Sequence, residues 1–285
     1  MRPSVFLRSN KVIQLLIYHS TDMKSLCRAV FFIMFAILAS TPNLLAQIIH
    51  GNFTNSKVSY LDVTESGPNI PPGIFVPPSP STTANPDSTL SFAPNNFIQT
   101  DQNLAFDLKT KQSQLQINMK AAAGRWFDGT NALQLETAGS YNLVAPFTNS
   151  QAFSSSTAAY TLIVNEVDNA PFSSGSTLTN TVVITPSSLS LIGPGGSGSG
   201  NWSGKVTLDI NTIKTAFGIS GNDKVTGMLL QYSAQVAAAG VFGSATTSLM
   251  NLNVVNATVP EPSTYALLAL AASGLGVYAL RRRGR

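Results

Sequence analysis

The stretch "SQLQINMK" (Ser113 to Lys120) alternates polar and apolar residues without a break, so that Leu115, Ile117 and Met119 share one side of an extended chain. Gln114, Gln116 and Asn118 share the other. A period of two marks a strand with one buried and one wet face. The pattern returns in "KVSYLDVT" (Lys57 to Thr64), "GKVTLDI" (Gly204 to Ile210) and "MNLNVVNATV" (Met250 to Val259), while "YTLIV" and "TVVIT" are short branched runs between turn residues. Roughly ten or more such runs, each bounded by Asn, Gly, Ser or Pro, predict an all-β fold: an antiparallel, jelly-roll-like β-sandwich over residues 47–258. One short helix is expected, with Asn211 as cap, Thr212 to Phe217 as body and Gly218 as stop.

Two segments interrupt the pattern. Residues 66–88 hold seven prolines, too many for a central strand, and are expected to run extended over the surface. "GPGGSGSGN" (Gly193 to Asn201) has the composition of a flexible loop between strands. No internal repeat of 20 to 50 residues is visible, so the middle reads as one domain.

Charge is distributed unevenly. The 285 residues carry a formal net charge of +4, but residues 1–46 hold five basic side chains and one acidic, and residues 259–285 hold four and one. That leaves eight basic against eleven acidic residues in the middle, where the basic ones do not cluster. Nucleic acid is therefore excluded as a partner. From Met23, the expected start, Lys24 and Arg28 precede an apolar run from Ala29 to Ala39, then Pro42 and the small Ala46, which is the layout of a secretory signal peptide cleaved after Ala46. The one cysteine, Cys27, lies inside that signal, so the mature chain forms no disulfide.

The residues for catalysis are sparse. Outside the signal region the only histidine is His50, placed at the mature N-terminus where mobility is expected, and a Ser-His-Asp or Cys-His centre would have to use it. His/Cys metal sites are excluded for the same reason, and no enzyme activity or cofactor is expected. Gly193, Gly195 and Gly198 match G-x-G-x-x-G, but a strand pattern follows where a dinucleotide-binding fold needs a helix. Glu166 and Asp168 in "VNEVDNA" would point to one face of an extended chain as weak calcium candidates, or else mark a solvated strand end entering a turn. Trp126 in "GRWFDGT" and Trp202 each read either as a sugar-stacking platform or as core packing.

At the C-terminus, Tyr265 to Leu280 is uncharged and Ser263 and Thr264 lengthen the run to 18 residues, about 27 Å as a helix. Arg281, Arg282 and Arg283 follow, with Arg285 at the end, so a single transmembrane helix with its basic end in the cytoplasm leaves the middle domain outside. Before the span stands Val259-Pro260-Glu261-Pro262-Ser263-Thr264, whose prolines deny the chain helix or sheet. This order of motif (Pro260, Glu261, Pro262), span (Tyr265 to Leu280) and arginines resembles the PEP-CTERM sorting signal of certain Gram-negative bacteria. The resemblance implies an exosortase as partner, a membrane-embedded enzyme that cuts near the motif. The middle also resembles a class of PEP-CTERM surface β-sandwiches with an "NWSG" turn, here Asn201 to Gly204.

The expected organisation is a signal peptide (1–46), a β-domain (47–258) and a sorting signal (259–285). The expected role is that of an exported, membrane-anchored and then cell-surface or biofilm-matrix protein of structural or interaction type. The alternative is a carbohydrate-binding module, calcium-assisted or not, for extracellular polysaccharide. Asn52, Asn201 and Asn256 open N-x-S/T sequons, which arise readily in so Asn-rich a chain.

Overall fold

The structure is a computed structural model that describes residues 46–67, 75, 79–80, 89–94, 97–102 and 107–260. The signal peptide and the transmembrane helix expected from the sequence lie outside these residues. In chain order the strands are β1 (Ala46–Thr54), β2 (Val58–Gly67), β3 (Ser79–Pro80), β4 (Thr89–Phe92), β5 (Ile98–Asp101), β6 (Lys109–Ala121), β7 (Arg125–Phe127), β8 (Leu133–Ala145) and β9 (Gln151–Val167). There follow β10 (Ala170–Pro171), β11 (Leu178–Val182), β12 (Ile184–Thr185), β13 (Ser188–Ile192), β14 (Gly196–Leu208), the helix α1 (Ile210–Phe217), β15 (Val225–Val241), β16 (Ser244–Asn256) and β17 (Thr258–Pro260).

All strand pairs are antiparallel. One sheet runs β1-β2-β6-β15-β9, with β10, β11 and β13 laid one after another along the free edge of β9. The other runs β12-β14-β8-β16-β4-β3, with β5 also on β16. The principal strands β2, β4, β6, β8, β9, β14, β15 and β16 fall alternately in the two sheets, so nearly every connection carries the chain across the core. Period-two sequence is the reason each strand can do this: in β6, Leu115, Ile117 and Met119 are buried while Gln114, Gln116 and Asn118 are not. Leu115, Leu162 and Leu230 of the first sheet share one apolar core with Leu90, Leu135 and Leu252 of the second, which makes the two layers a sandwich.

Three expectations need correction. The glycine-serine run is no flexible loop: Gly196 to Leu208 is one strand paired along β8 from Ala145 to Leu133. Gly200 and Gly196 make room for neighbours, since a Cβ on Gly200 would meet the Tyr141 hydroxyl at 2.6 Å and one on Gly196 would meet Leu191 at 3.1 Å, whereas Gly198 faces open space. Asn201 to Gly204 accordingly lies inside a strand and forms no turn. The helix cap is Asp209, two residues before the expected Asn211; its carboxylate accepts from the Asn211 and Thr212 amides, while Gly218 ends the helix at φ +65° as anticipated. The proline-rich segment does more than cross the surface. Its Phe75 is buried against Phe92 and Phe97, and its Ser79–Pro80 pairs with β4 as an edge strand, the place where proline is tolerated in a sheet.

Candidate functional site

The place where the folded domain hands over to its tail is built by a small ribbon. Val259 pairs with Trp126, Thr258 with Phe127 and Pro260 with Arg125, and the Asp128 amide donates to the Ala257 carbonyl at 3.2 Å. The start of the proline motif is thus held in a two-stranded sheet, contrary to the expectation that its prolines deny it one. Pro260 can end such a strand because nothing further along the ladder needs its missing N–H. Just before the ribbon, buried Asn256 accepts from the Tyr60 hydroxyl at 3.2 Å and donates to the Ala132 carbonyl at 3.3 Å, tying the end of β16 to the opposite sheet. Burial pushes the Tyr60 phenol far above its usual range, so this bond is made by the neutral hydroxyl. It also removes Asn256 as a glycan acceptor, whereas Asn52 and Asn201 are exposed. Glu261, Pro262, Ser263, Thr264, the span from Tyr265 to Leu280 and Arg281 to Arg283 lie outside the described residues.

The two tryptophans separate cleanly. Trp202 is 3% exposed and lies across Gly139 of β8, where an added Cβ would sit 2.3 Å from its ring. It is a core residue and no sugar platform. Trp126 is half-buried, and the Lys224 ammonium stands 4.7 Å from its ring centroid. That cation–π contact occupies one face of the ring.

Glu166 and Asp168 are not brought together as an oxygen cluster. Asp168 and Asn169, at φ +51° and +61°, form the two-residue turn that joins β9 to β10, with Val167 opposite Ala170. Asp168 accepts from the Lys224 amide at 3.2 Å, while Glu166 is paired with Lys120 at 2.8 Å. Among the described residues there is no group of three or more His, Cys, Asp or Glu side chains fit to hold a metal ion.

His50 is the largest departure from expectation, because its side chain is 3% exposed and not on a mobile end. Its Nε2 lies 3.3 Å from Oε2 of Glu65, a carboxylate with no exposure at all. The same carboxylate accepts from the Phe75 amide at 3.2 Å and the Ser113 hydroxyl at 2.9 Å. Four chain segments thus meet on one buried acid, which is a structural role: burying a carboxylate is tolerated only where donors replace its water. The sequence signal for it was Glu65 standing at an apolar position of a strand pattern.

No curated protein matches the chain. Among solved structures, similarity is found to TmCBM61 in complex with β-1,4-galactotriose, at 7% identity over 59% of this chain and 88% of that one, with a TM-score of 0.17. The Trichoderma harzianum endoglucanase 3 of family GH12 shows 10% identity over 76% of this chain and 100% of that one, at a TM-score of 0.18. A family 30 carbohydrate-binding module shows 9% identity over 73% and 98%, at 0.15. Scores this low carry no argument about ligand or activity. The tail is different: residues 258–283, which begin at the first residue of β17, match the PEP-CTERM protein-sorting motif, and this chain carries that motif.

Proposed function

We propose that the chain is an exported protein of the cell surface or biofilm matrix of a Gram-negative-type bacterium, delivered by its tail to an exosortase and acting through its β-domain as a structural or interaction module without catalysis. The observation that carries this reading is the sorting motif over residues 258–283, abutting the domain with no linker. From Pro260 to Tyr265 the chain reaches at most about 17 Å, so before processing the β7–β17 ribbon stands close to the membrane surface. The buried engagement of His50 by Glu65 supports a non-catalytic domain, since it keeps that imidazole from any substrate.

Replacing Pro260, Glu261 and Pro262 by alanine is expected to block processing while leaving insertion intact, because the apolar span and the arginines still satisfy length and charge orientation. Intact mass of the protein from its native host reads the outcome. Arg285 still attached to most surface-displayed molecules would sink the proposal. Extracellular polysaccharide as a partner needs a surface other than Trp202, which is buried, and at Trp126 one face of the ring is already taken by Lys224.

A further inference from the structure

At the end of the sandwich away from the tail, three loops meet around one buried serine, through its hydroxyl and its backbone carbonyl. Ser150 Oγ accepts from the Phe147 amide at 2.8 Å and donates to the Phe242 carbonyl at 2.9 Å. The Ser150 carbonyl takes the Gly193 amide at 2.9 Å, and the Pro146 carbonyl takes that of Gly195 at 3.3 Å. Gly193 is packed so closely that a Cβ there would stand 1.8 Å from the Phe147 carbonyl oxygen. The loops are therefore locked together. Yet the apolar side chains they carry point outward: Phe147 is 65% exposed, Ile192 49% and Phe242 48%.

We propose that this loop end is a binding platform for a neutral polysaccharide, with the rings of Phe147 and Phe242 stacking on the apolar faces of its sugars. Three properties select that occupant. The exposed apolar area of the three side chains is on the order of 300 Å², far below the roughly 800 Å² per partner of a stable protein interface but the size of a short saccharide contact. Residues 146–150, 192–195 and 242–243 contain no charged side chain, so nothing there attracts a phosphate headgroup or an acidic polymer. Thr148, Asn149 and Gln151 stand exposed beside the rings and supply the hydroxyl and amide groups that sugar hydroxyls require. Bracing by Ser150 pre-forms the platform, which reduces the ordering cost of binding. β16 runs its 13 residues from this end to the tail, about 40 Å, so the platform faces away from the anchoring membrane. Access to such a polymer rests on the surface or matrix location proposed above; the binding assay does not depend on how the tail is processed.

The full chain in detergent is tested for retention on cellulose, β-1,4-galactan, starch and dextran, with alginate as acidic control. Wild type is expected to be retained on at least one neutral polymer and not on alginate. F147A/F242A, with an unchanged circular dichroism spectrum, should lose about tenfold or more of that affinity, F147Y/F242Y should keep it, and F147L/F242L should lose it. Retention of wild type on none of the neutral polymers overturns the proposal, as does retention that F147A/F242A leaves unchanged. Full binding by F147L/F242L would mean apolar docking without stacking and would likewise overturn the proposal. Self-association in sedimentation that F147A/F242A abolishes, without polymer binding, would assign the platform to a second copy of the chain and equally overturn it.

Discussion

The two ends of the sandwich are made differently by the same strands. At the tail end, β9 and β15 face each other as Leu162 against Leu230 and Val164 against Met228, and Tyr60, Phe92 and Phe127 fill the space between sheets. At the loop end, the same two strands meet as Ser154 against Ala238 and Ser155 against Ala237, with Ala152 and Ala245 nearby. Large residues hold packed sheets about 10 Å apart. Small ones let them close, and Ser156 of β9 shares a 3.4 Å hydrogen bond across the sheets with Thr247 of β16. The tail end therefore holds the apolar stabilisation, while the loop end gives up burial for a tight, hydroxyl-pinned seat on which loops are held fixed. A wedge of this kind separates folding from presentation along a single set of strands.

That contrast is broken most directly at the wide end. Phe92 is buried with its ring centroid 5.7 Å from that of Phe75, and Phe92→Ala is expected to cost about 4 kcal/mol in urea unfolding, as a lost aromatic leaves a cavity that rigid sheets cannot collapse. A loss under about 1 kcal/mol would show that the wide end is not the store of stability. Second in size is His50→Ala, expected to lose about 2–3 kcal/mol because it strips one partner from the buried Glu65. An unchanged midpoint would return His50 to the peripheral role its sequence position suggests. At the narrow end the sign of the steric effect reverses: Ala238→Leu adds volume where Ala152 and Ala245 leave none, and should cost about 2 kcal/mol by overpacking. If Ala238→Leu stabilised the protein, the loop end would hold space after all, and the wedge would be wrong.

How much of this was legible in the sequence follows from which physics each residue obeys. Leu115, Ile117 and Met119 announced their strand because burial on one face is a local, periodic demand, and the all-β antiparallel fold follows from repeating that demand. The run from Gly196 to Gly200 did not, because Gly196 and Gly200 answer to Leu191 and Tyr141 on neighbouring chain segments, and composition alone reads as a loop. His50 and Glu65 lie 15 residues apart and meet only through strand pairing, so position near a terminus misled. Trp202 needed Gly139, again on another strand, to be recognised as core. The sorting motif was legible because Pro260, Glu261, Pro262, the apolar run and the arginines follow one another without interruption in the sequence.

The smallest expected effect concerns α1, whose Ile210, Ile213 and Phe217 close the wide end. Asp209 holds its first turn, accepting from the Asn211 amide at 2.8 Å, the Thr212 amide at 2.9 Å and the Thr212 hydroxyl at 2.6 Å. The Thr212 hydroxyl bond, and then the amide bonds, hold the Asp209 carboxyl below its usual range. A carboxylate depressed in the folded state contributes stability above its unfolded value, and that contribution is lost as pH falls through the folded value. Solvent exposure keeps it small. Asp209→Asn keeps a capping side chain but removes the charge. Wild type should therefore exceed Asp209→Asn in urea midpoint by a constant margin at neutral pH, and the margin should shrink only below about pH 4. A margin that persisted undiminished at the lowest pH where both proteins fold would show that charge plays no part in the cap. The wide end would then be closed by the apolar face of the helix alone.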